Sequence, residues 1–216
     1  MSDQTVRITE IFYSLQGETS TIGLPTAFVR LTGCPLRCQY CDTEYAFYGG
    51  EKQTVGEILA KVASFKPHYV TVTGGEPLAQ PACLSLLAQL CDQNYRVSLE
   101  TSGALPISGV DPRVAVILDL KTPGSGEVGR NLWENIPELK SRDEIKFVLC
   151  DRQDYEWARM KLDELKCAER GIPVIFSPSH GQLVARHLAE WIIKDNLPVR
   201  MQLQLHKQLW GDVAGK

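Results

Sequence analysis

Cys34, Cys38 and Cys41 stand at C-x3-C-x2-C spacing in the run Gly33-Cys34-Pro35-Leu36-Arg37-Cys38-Gln39-Tyr40-Cys41. Three thiolates this close in sequence suit three irons of a four-iron cluster, and they leave the fourth iron open to a chelating ligand. Zinc is the alternative. A structural zinc site closes with four ligands, so a fourth would have to come from the other four cysteines or the four histidines. His68, His180, His187 and His206 show no ligand spacing.

Other residues carry chemistry at strand ends. Thr73-Gly74-Gly75-Glu76-Pro77 follows a short apolar run, and its glycines let backbone approach a ligand closely. Arg30 lies inside an apolar run just before the cysteine loop. A guanidinium there can grip a carboxylate with two parallel hydrogen bonds, or it can form a structural ion pair. Cys83 and Cys91 fall in an apolar helical pattern and read as core. Cys150 ends a strand and Cys167 ends a helix, with no chemical pattern around either.

The elements that must hold these residues alternate between strand and helix. Strands are predicted at Ala27–Leu31, Tyr69–Thr73, Val97–Glu100, Val114–Leu118, Ile145–Leu149 and Val174–Ser177, with a terminal strand at Val199–Leu205. Thr54 and Glu57 form a capping box that opens a helix to about Phe65. Further helices are predicted at Pro81–Gln93, with Leu84, Leu87, Leu90 and Cys91 on its apolar face, at Gln153–Cys167 and at Leu183–Lys194. The segment Gly124–Arg142 is the least regular. About six strand–helix units imply parallel strands with crossover helices, as an open partial barrel or a doubly wound sheet. In either, the polar motifs at the carboxyl ends of the strands carry the chemistry. No repeat or linker divides the chain, so residues 1–216 read as a single α/β domain.

Composition narrows the class. Of the 216 residues 44% are hydrophobic and 23% charged, the balance of a folded globular protein. The net charge of −3 offers no basic face for nucleic acid. The first ten residues lack a signal core, and no apolar run approaches a membrane span. The expected location is cytoplasmic, where seven cysteines stay reduced and clustered thiols serve metals or catalysis.

The cysteine spacing, with aromatic Tyr40 before Cys41 and the glycine stretch some thirty residues on, resembles the radical S-adenosylmethionine superfamily. Within it, several segments resemble the 7-carboxy-7-deazaguanine synthase family. They are Glu10-Ile11-Phe12-Tyr13-Ser14-Leu15-Gln16-Gly17-Glu18, Phe28-Val29-Arg30, Cys41-Asp42-Thr43, Glu100-Thr101-Ser102-Gly103 and Leu205-His206-Lys207-Gln208-Leu209-Trp210-Gly211. The motifs arrive in the family's order over about residues 8–211.

That resemblance implies a partial (β/α)6 barrel and conversion of 6-carboxy-5,6,7,8-tetrahydropterin to 7-carboxy-7-deazaguanine and ammonia, a ring contraction on the route to queuosine. It implies a 4Fe-4S cluster on Cys34, Cys38 and Cys41, and Mg2+ on Thr43. S-adenosyl-L-methionine would be held by Tyr40, Cys41, Asp42, Gly75, Ser102, Asp119, Leu120 and Lys121. The pterin would be held by Leu15, Gln16, Gly17, Arg30 and Thr73. No side chain need act as nucleophile. Many relatives are expected to carry Ser-Pro-Lys where this chain has Asp119-Leu120-Lys121; Lys121 is retained, and Asp119 could equally pair with a neighbouring lysine or cap a turn. The resemblance further implies a homodimer and an electron donor such as flavodoxin or ferredoxin. The rival readings are a glycyl-radical activase, which would lack the Leu-Gln-Gly-Glu and Arg30 features, and a non-catalytic zinc module.

Overall fold

The computed structural model describes residues 4–211, 213 and 215. Nine strands form one sheet in the order β3-β1-β2-β4-β5-β6-β7-β8-β9. Its body is a parallel run: β2 (Pro25–Leu31), β4 (Tyr69–Gly74), β5 (Arg96–Thr101), β6 (Ala115–Leu120), β7 (Glu144–Leu149), β8 (Val174–Pro178) and the two-residue β9 (Arg200–Met201). Two antiparallel strands, β1 (Thr5–Leu15) and β3 (Glu51–Thr54), extend it beyond β2. This is the partial barrel expected from the sequence.

The strands alternate with period two, so each side chain's face follows from its parity. Val29, Leu31, Val70, Val72, Leu99, Leu118, Leu120, Phe147 and Phe176 are buried in one apolar core. The helices α1 (Val55–Ser64), α2 (Ala82–Asp92), α3 (Arg152–Leu165) and α4 (Ala185–Asp195) add residues such as Ile58, Leu87, Tyr155 and Leu188 to it. Each such aliphatic or aromatic side chain contributes about 1.5–3 kcal/mol by leaving water. The intervening residues, among them Arg30, Thr71, Thr73, Ser98, Glu100, Asp119, Lys146 and Ser177, face the lumen instead. The apolar face fixes the strands, and the same register presents a polar row to the interior.

The predicted strands and α1, α2, α3 and α4 are present with ends shifted by a few residues, and the Thr54–Glu57 capping box closes as expected. Leu84 is a correction: it is 36% exposed, and the buried face of α2 is Cys83, Leu86, Leu87, Leu90 and Cys91. The predicted terminal strand Val199–Leu205 is a second correction. Pairing with β8 stops after Met201, and Leu205–Trp210 coil into a helix, α5. The Gln202 backbone N–H still reaches Phe176 O, but the Leu205 N–H then bonds Gly17 O, which draws the chain off the sheet. Strand β1 was not anticipated, although its buried Val6 and Ile8 carry the alternation of a strand. Strand β3 was also missed.

Candidate functional site

The lumen opens at the carboxyl ends of the parallel strands into a cavity of about 450 Å³. All the expected site residues except Leu120 line it, including the three cysteines of the triad. The Leu120 side chain is fully buried in the helix-side core, because parity turns it away from the lumen that Asp119 faces.

The cysteine loop leaves β2 and is tied down at several points. The Gly33 N–H bonds Ala46 O at 2.7 Å, and the Gln39 N–H bonds Ser125 O at 3.0 Å. The Arg37 guanidinium donates to Cys34 O and Leu36 O and lies over Phe47, 4.2 Å from the ring centre. Burial raises the pKa of all three thiols, that of Cys38 to about 11. Metal ligation would remove those protons. Among the described residues no three His, Cys, Asp or Glu side chains gather closely enough to hold one metal ion. The three thiols line one cavity, where they could each hold one iron of a cluster.

The glycine stretch packs directly on this loop. A Cβ on Gly75 would lie 2.2 Å from Gly33 O and 2.9 Å from the Cys34 Cβ, so only hydrogen fits there. Glu76, next along, is fully buried. Its carboxylate accepts from the Ser102 N–H (2.7 Å), the Ser102 hydroxyl (2.5 Å), the Thr101 hydroxyl (2.9 Å) and the Leu78 N–H (3.0 Å). It thereby locks the ends of β4 and β5 together beside the cysteines.

At the end of β6 the Lys121 ammonium lies 3.2 Å from Asp119 Oδ2 and 5.8 Å from the centre of the Tyr40 ring. Burial acts to lower the Lys121 pKa, but Asp119, Tyr40 and Cys38 outweigh it, so the ammonium is held charged. Asn131 pins Lys121 by bonding both its backbone N–H and its carbonyl at 2.8 Å. The Tyr40 hydroxyl and Asp119 Oδ1 are buried with no hydrogen-bond partner among the described residues. Since buried polar groups are nearly always paired, both suit a polar ligand in this cavity. With the thiols and Gly75 they fit a cluster-bound S-adenosylmethionine.

On the other side of the lumen, Arg30 Nε donates to Glu10 Oε1 at 2.7 Å, and its guanidinium sits between the Phe12 and Tyr45 rings. Glu10 also accepts from the Tyr45 hydroxyl at 2.8 Å. The ion pair and the carboxylate grip, alternatives in the sequence, are compatible here, because the two Nη groups form their own fork. The Thr73 hydroxyl donates to Glu100 Oε2 at 2.8 Å. Burial, with the nearby Glu18 charge, raises the Glu100 pKa. The Gln16 side chain is spent within the protein: its amide N–H2 donates to Thr71 and Glu100, and its oxygen accepts from the Glu18 N–H.

The turn between β1 and β2 is stitched across the lumen to the far end of the sheet. Glu18 pairs with Lys146 on β7, and the Ser20 N–H bonds Glu144 on the same strand. Thr19 sits at φ +67°, strained for a β-branched residue, and Gln202 bonds both its N–H and its carbonyl. Gly17 lies against α5, where a Cβ would be 2.1 Å from His206 Nδ1. His206, just beyond the predicted terminal strand, is a residue of α5 and lines the cavity.

Thr43 follows the last cysteine and donates its hydroxyl to Asp42 Oδ1 at 2.8 Å, which leaves the oxygen lone pairs for a cation. Asp42 accepts from Gln204 at 3.0 Å and lies 3.5 Å from the Lys207 ammonium. Burial opposes its ionisation, yet Gln204, Thr43 and Lys207 prevail and lower its pKa to about 2.

Glu18, Glu76, Glu100, Lys146 and Gln204 were not singled out by the sequence reading. Lys146 had a signal, a lysine in the middle of the apolar run Ile145–Leu149. Gln204 had none, since it lies at the end of the segment read as a terminal strand and meets Glu18 and Asp42 only through long-range contacts.

Comparison with known proteins follows the same lines. The Radical SAM superfamily model matches residues 28–121. A 7-carboxy-7-deazaguanine synthase of Chlorobaculum tepidum is 47% identical, covering 99% of this chain and 98% of its own. One of Koribacter versatilis is 44% identical over 95% and 97%. The crystal structure of QueE from Escherichia coli superposes with a TM-score of 0.77 at 26% identity, over 94% and 95% of the two chains.

Proposed function

The chain belongs to the 7-carboxy-7-deazaguanine synthase family of radical S-adenosylmethionine enzymes, and from that premise we propose that it contracts the ring of 6-carboxy-5,6,7,8-tetrahydropterin to 7-carboxy-7-deazaguanine with loss of ammonia. The observation that carries the reading is a single cavity lined by the three cysteines together with Arg30, Thr73 and Gly17. When bound, the 4Fe-4S cluster and S-adenosylmethionine supply one-electron cleavage of the sulfonium and a carbon radical able to abstract hydrogen.

The protein's own work is placement. The Arg30 fork takes the substrate carboxylate, oriented by Glu10 and stacked between Phe12 and Tyr45. Thr73 and the Leu15–Gly17 backbone border the pterin, and the buried Gln16 amide holds that backbone against Glu100. Gly75, Ser102 and the backbone of Tyr40–Asp42 line the S-adenosylmethionine side, with Asp119 and Lys121 at its polar end. Fixing the reacting carbon at near-attack distance is the main catalytic contribution.

In this reading the Thr43 hydroxyl would offer one oxygen to Mg2+, an ion that takes few protein ligands beside substrate oxygens and water. The whole chain acts as one catalytic unit, as a homodimer in the cytoplasm, and takes its electron from a flavodoxin or ferredoxin. No helix among the described residues is long and apolar enough to cross a membrane. The test is anaerobic reconstitution with iron and sulfide, followed by incubation with carboxytetrahydropterin, S-adenosylmethionine and reductant. A deazapurine carboxylate and 5′-deoxyadenosine are expected together. Cleavage of S-adenosylmethionine with no deazapurine would reject the proposed substrate.

A further inference from the structure

Two segments that border the proposed pterin site are joined through one side-chain amide. Gln204 Nε2 donates to Glu18 Oε1 at 2.9 Å and to Asp42 Oδ2 at 3.0 Å, which uses both of its hydrogens. Glu18 continues from Leu15–Gly17, and Asp42 is bonded to Thr43. Each carboxylate also has its own ammonium, Lys146 for Glu18 and Lys207 for Asp42. A continuous polar chain therefore runs Lys146–Glu18–Gln204–Asp42–Thr43, from the middle of β7 to the loop after the last cysteine. Gln204 is its neutral link, and a donor is the group that can sit between two carboxylates without repelling either. The residue lies immediately before α5, which is itself tied to the turn by the Leu205 N–H on Gly17 O at 2.9 Å.

We propose that Gln204 is a positioning residue for the pterin: it sets the separation between the Leu15–Gly17 segment and the Asp42–Thr43 loop, so that both face the substrate together. This rests on the functional reading above. It adds that pterin affinity depends on bonds made between protein groups at the wall of the cavity, by the segment leading into the last helix.

The test uses the full chain, reconstituted anaerobically, with equilibrium binding of carboxytetrahydropterin and of S-adenosylmethionine measured separately by calorimetry. Gln204→Glu keeps the shape but puts a third carboxylate between two. Pterin affinity should fall by about thirtyfold, the equivalent of one or two hydrogen bonds to charged groups. Loss of S-adenosylmethionine affinity should be at least about tenfold smaller. Gln204→Lys, which restores donors only, should recover most pterin binding. Should Gln204→Glu fail to fold, Gln204→Met removes both donors without adding charge and serves in its place. Equal loss of both ligands, or pterin binding as tight as in the unmodified chain, overturns the inference. If the unmodified chain itself binds no carboxypterin, the functional reading falls and takes the inference with it.

Discussion

The His206 imidazole occupies the space that a side chain on Gly17 would need, with Nδ1 2.1 Å from the position of a Cβ. Gly17→Ala must turn the imidazole aside, push α5 outward or shift the turn, and overpacking of this kind costs about 1–3 kcal/mol. A lower melting temperature and pterin affinity reduced by at least about tenfold are expected, with S-adenosylmethionine binding largely kept. Calorimetry on the reconstituted variant checks this. An alanine variant with normal pterin affinity would mean that the helix is not seated against the turn.

Arg30 and Glu10 give a second test. Arg30→Ala should weaken carboxypterin binding by about ten- to 150-fold, the range for a hydrogen-bonded charged group. Arg30→Lys should not rescue it, because a point charge lacks the fork. Glu10→Gln keeps the guanidinium but loosens its orientation, and should raise KM more than it lowers kcat. A pterin lacking the carboxylate should bind the Arg30→Ala variant and the unmodified chain alike.

Glu76 predicts a stability effect. Its buried carboxylate accepts four hydrogen bonds from Leu78, Thr101 and Ser102. Glu76→Ala strands these donors, each at a cost of about 1–3 kcal/mol before relaxation. Urea denaturation of the metal-free protein should show a loss of roughly 3 kcal/mol or more. Glu76→Gln should recover part of it.

Asp42 makes a pH prediction with a definite sign. Its folded-state pKa is lowered to about 2, below the ordinary aspartate range. Its contribution to stability is therefore fully present above that range, near pH 4. It is lost as pH falls through the folded value. The stability gap between the unmodified chain and Asp42→Asn, measured in urea on the metal-free protein, should be flat from about pH 8 to 5 and should narrow below about 4. A gap that narrows instead as pH rises from neutral would contradict the bonding to Gln204 and Lys207.

The cysteines make the simplest prediction. Cys38→Ala should lose the visible iron–sulfur absorbance and S-adenosylmethionine cleavage together. Metal analysis of the reconstituted unmodified chain should find iron and sulfide. Zinc alone would instead revive the module reading.

The parallel strands could be read from sequence because their apolar runs are short, bounded by turn residues and buried on the helix side. Val70 and Val72, or Ile145 and Phe147, announce a strand by type alone. The cysteine triad and Gly74-Gly75-Glu76 were readable because their chemistry is local in sequence. The C-terminal region was not. Val199, Met201 and Leu203 alternate like a strand, but the contacts that end β9 come from Gly17 and Thr19, far away in the chain. Lys146 and Glu18 were missed for the same reason, being 128 residues apart and acquiring their meaning by meeting. Strand parity was legible too: Asp119 faces the lumen and the Leu120 side chain the helix-side core.

The stitching of the β1–β2 turn has a consequence for biosynthesis. The Thr19–Gln202 bonds span 183 residues, so the turn that borders the substrate cannot be secured until the chain has been made at least as far as Gln202. A translation product interrupted before Gln202 would possess the cysteine loop and the glycine stretch but no anchored turn and no α5. Such a fragment is equipped to collect iron and lacks the walls that confine a radical. Coupling the substrate wall to a segment so far along the chain keeps the hazardous half of the chemistry waiting for the protective half.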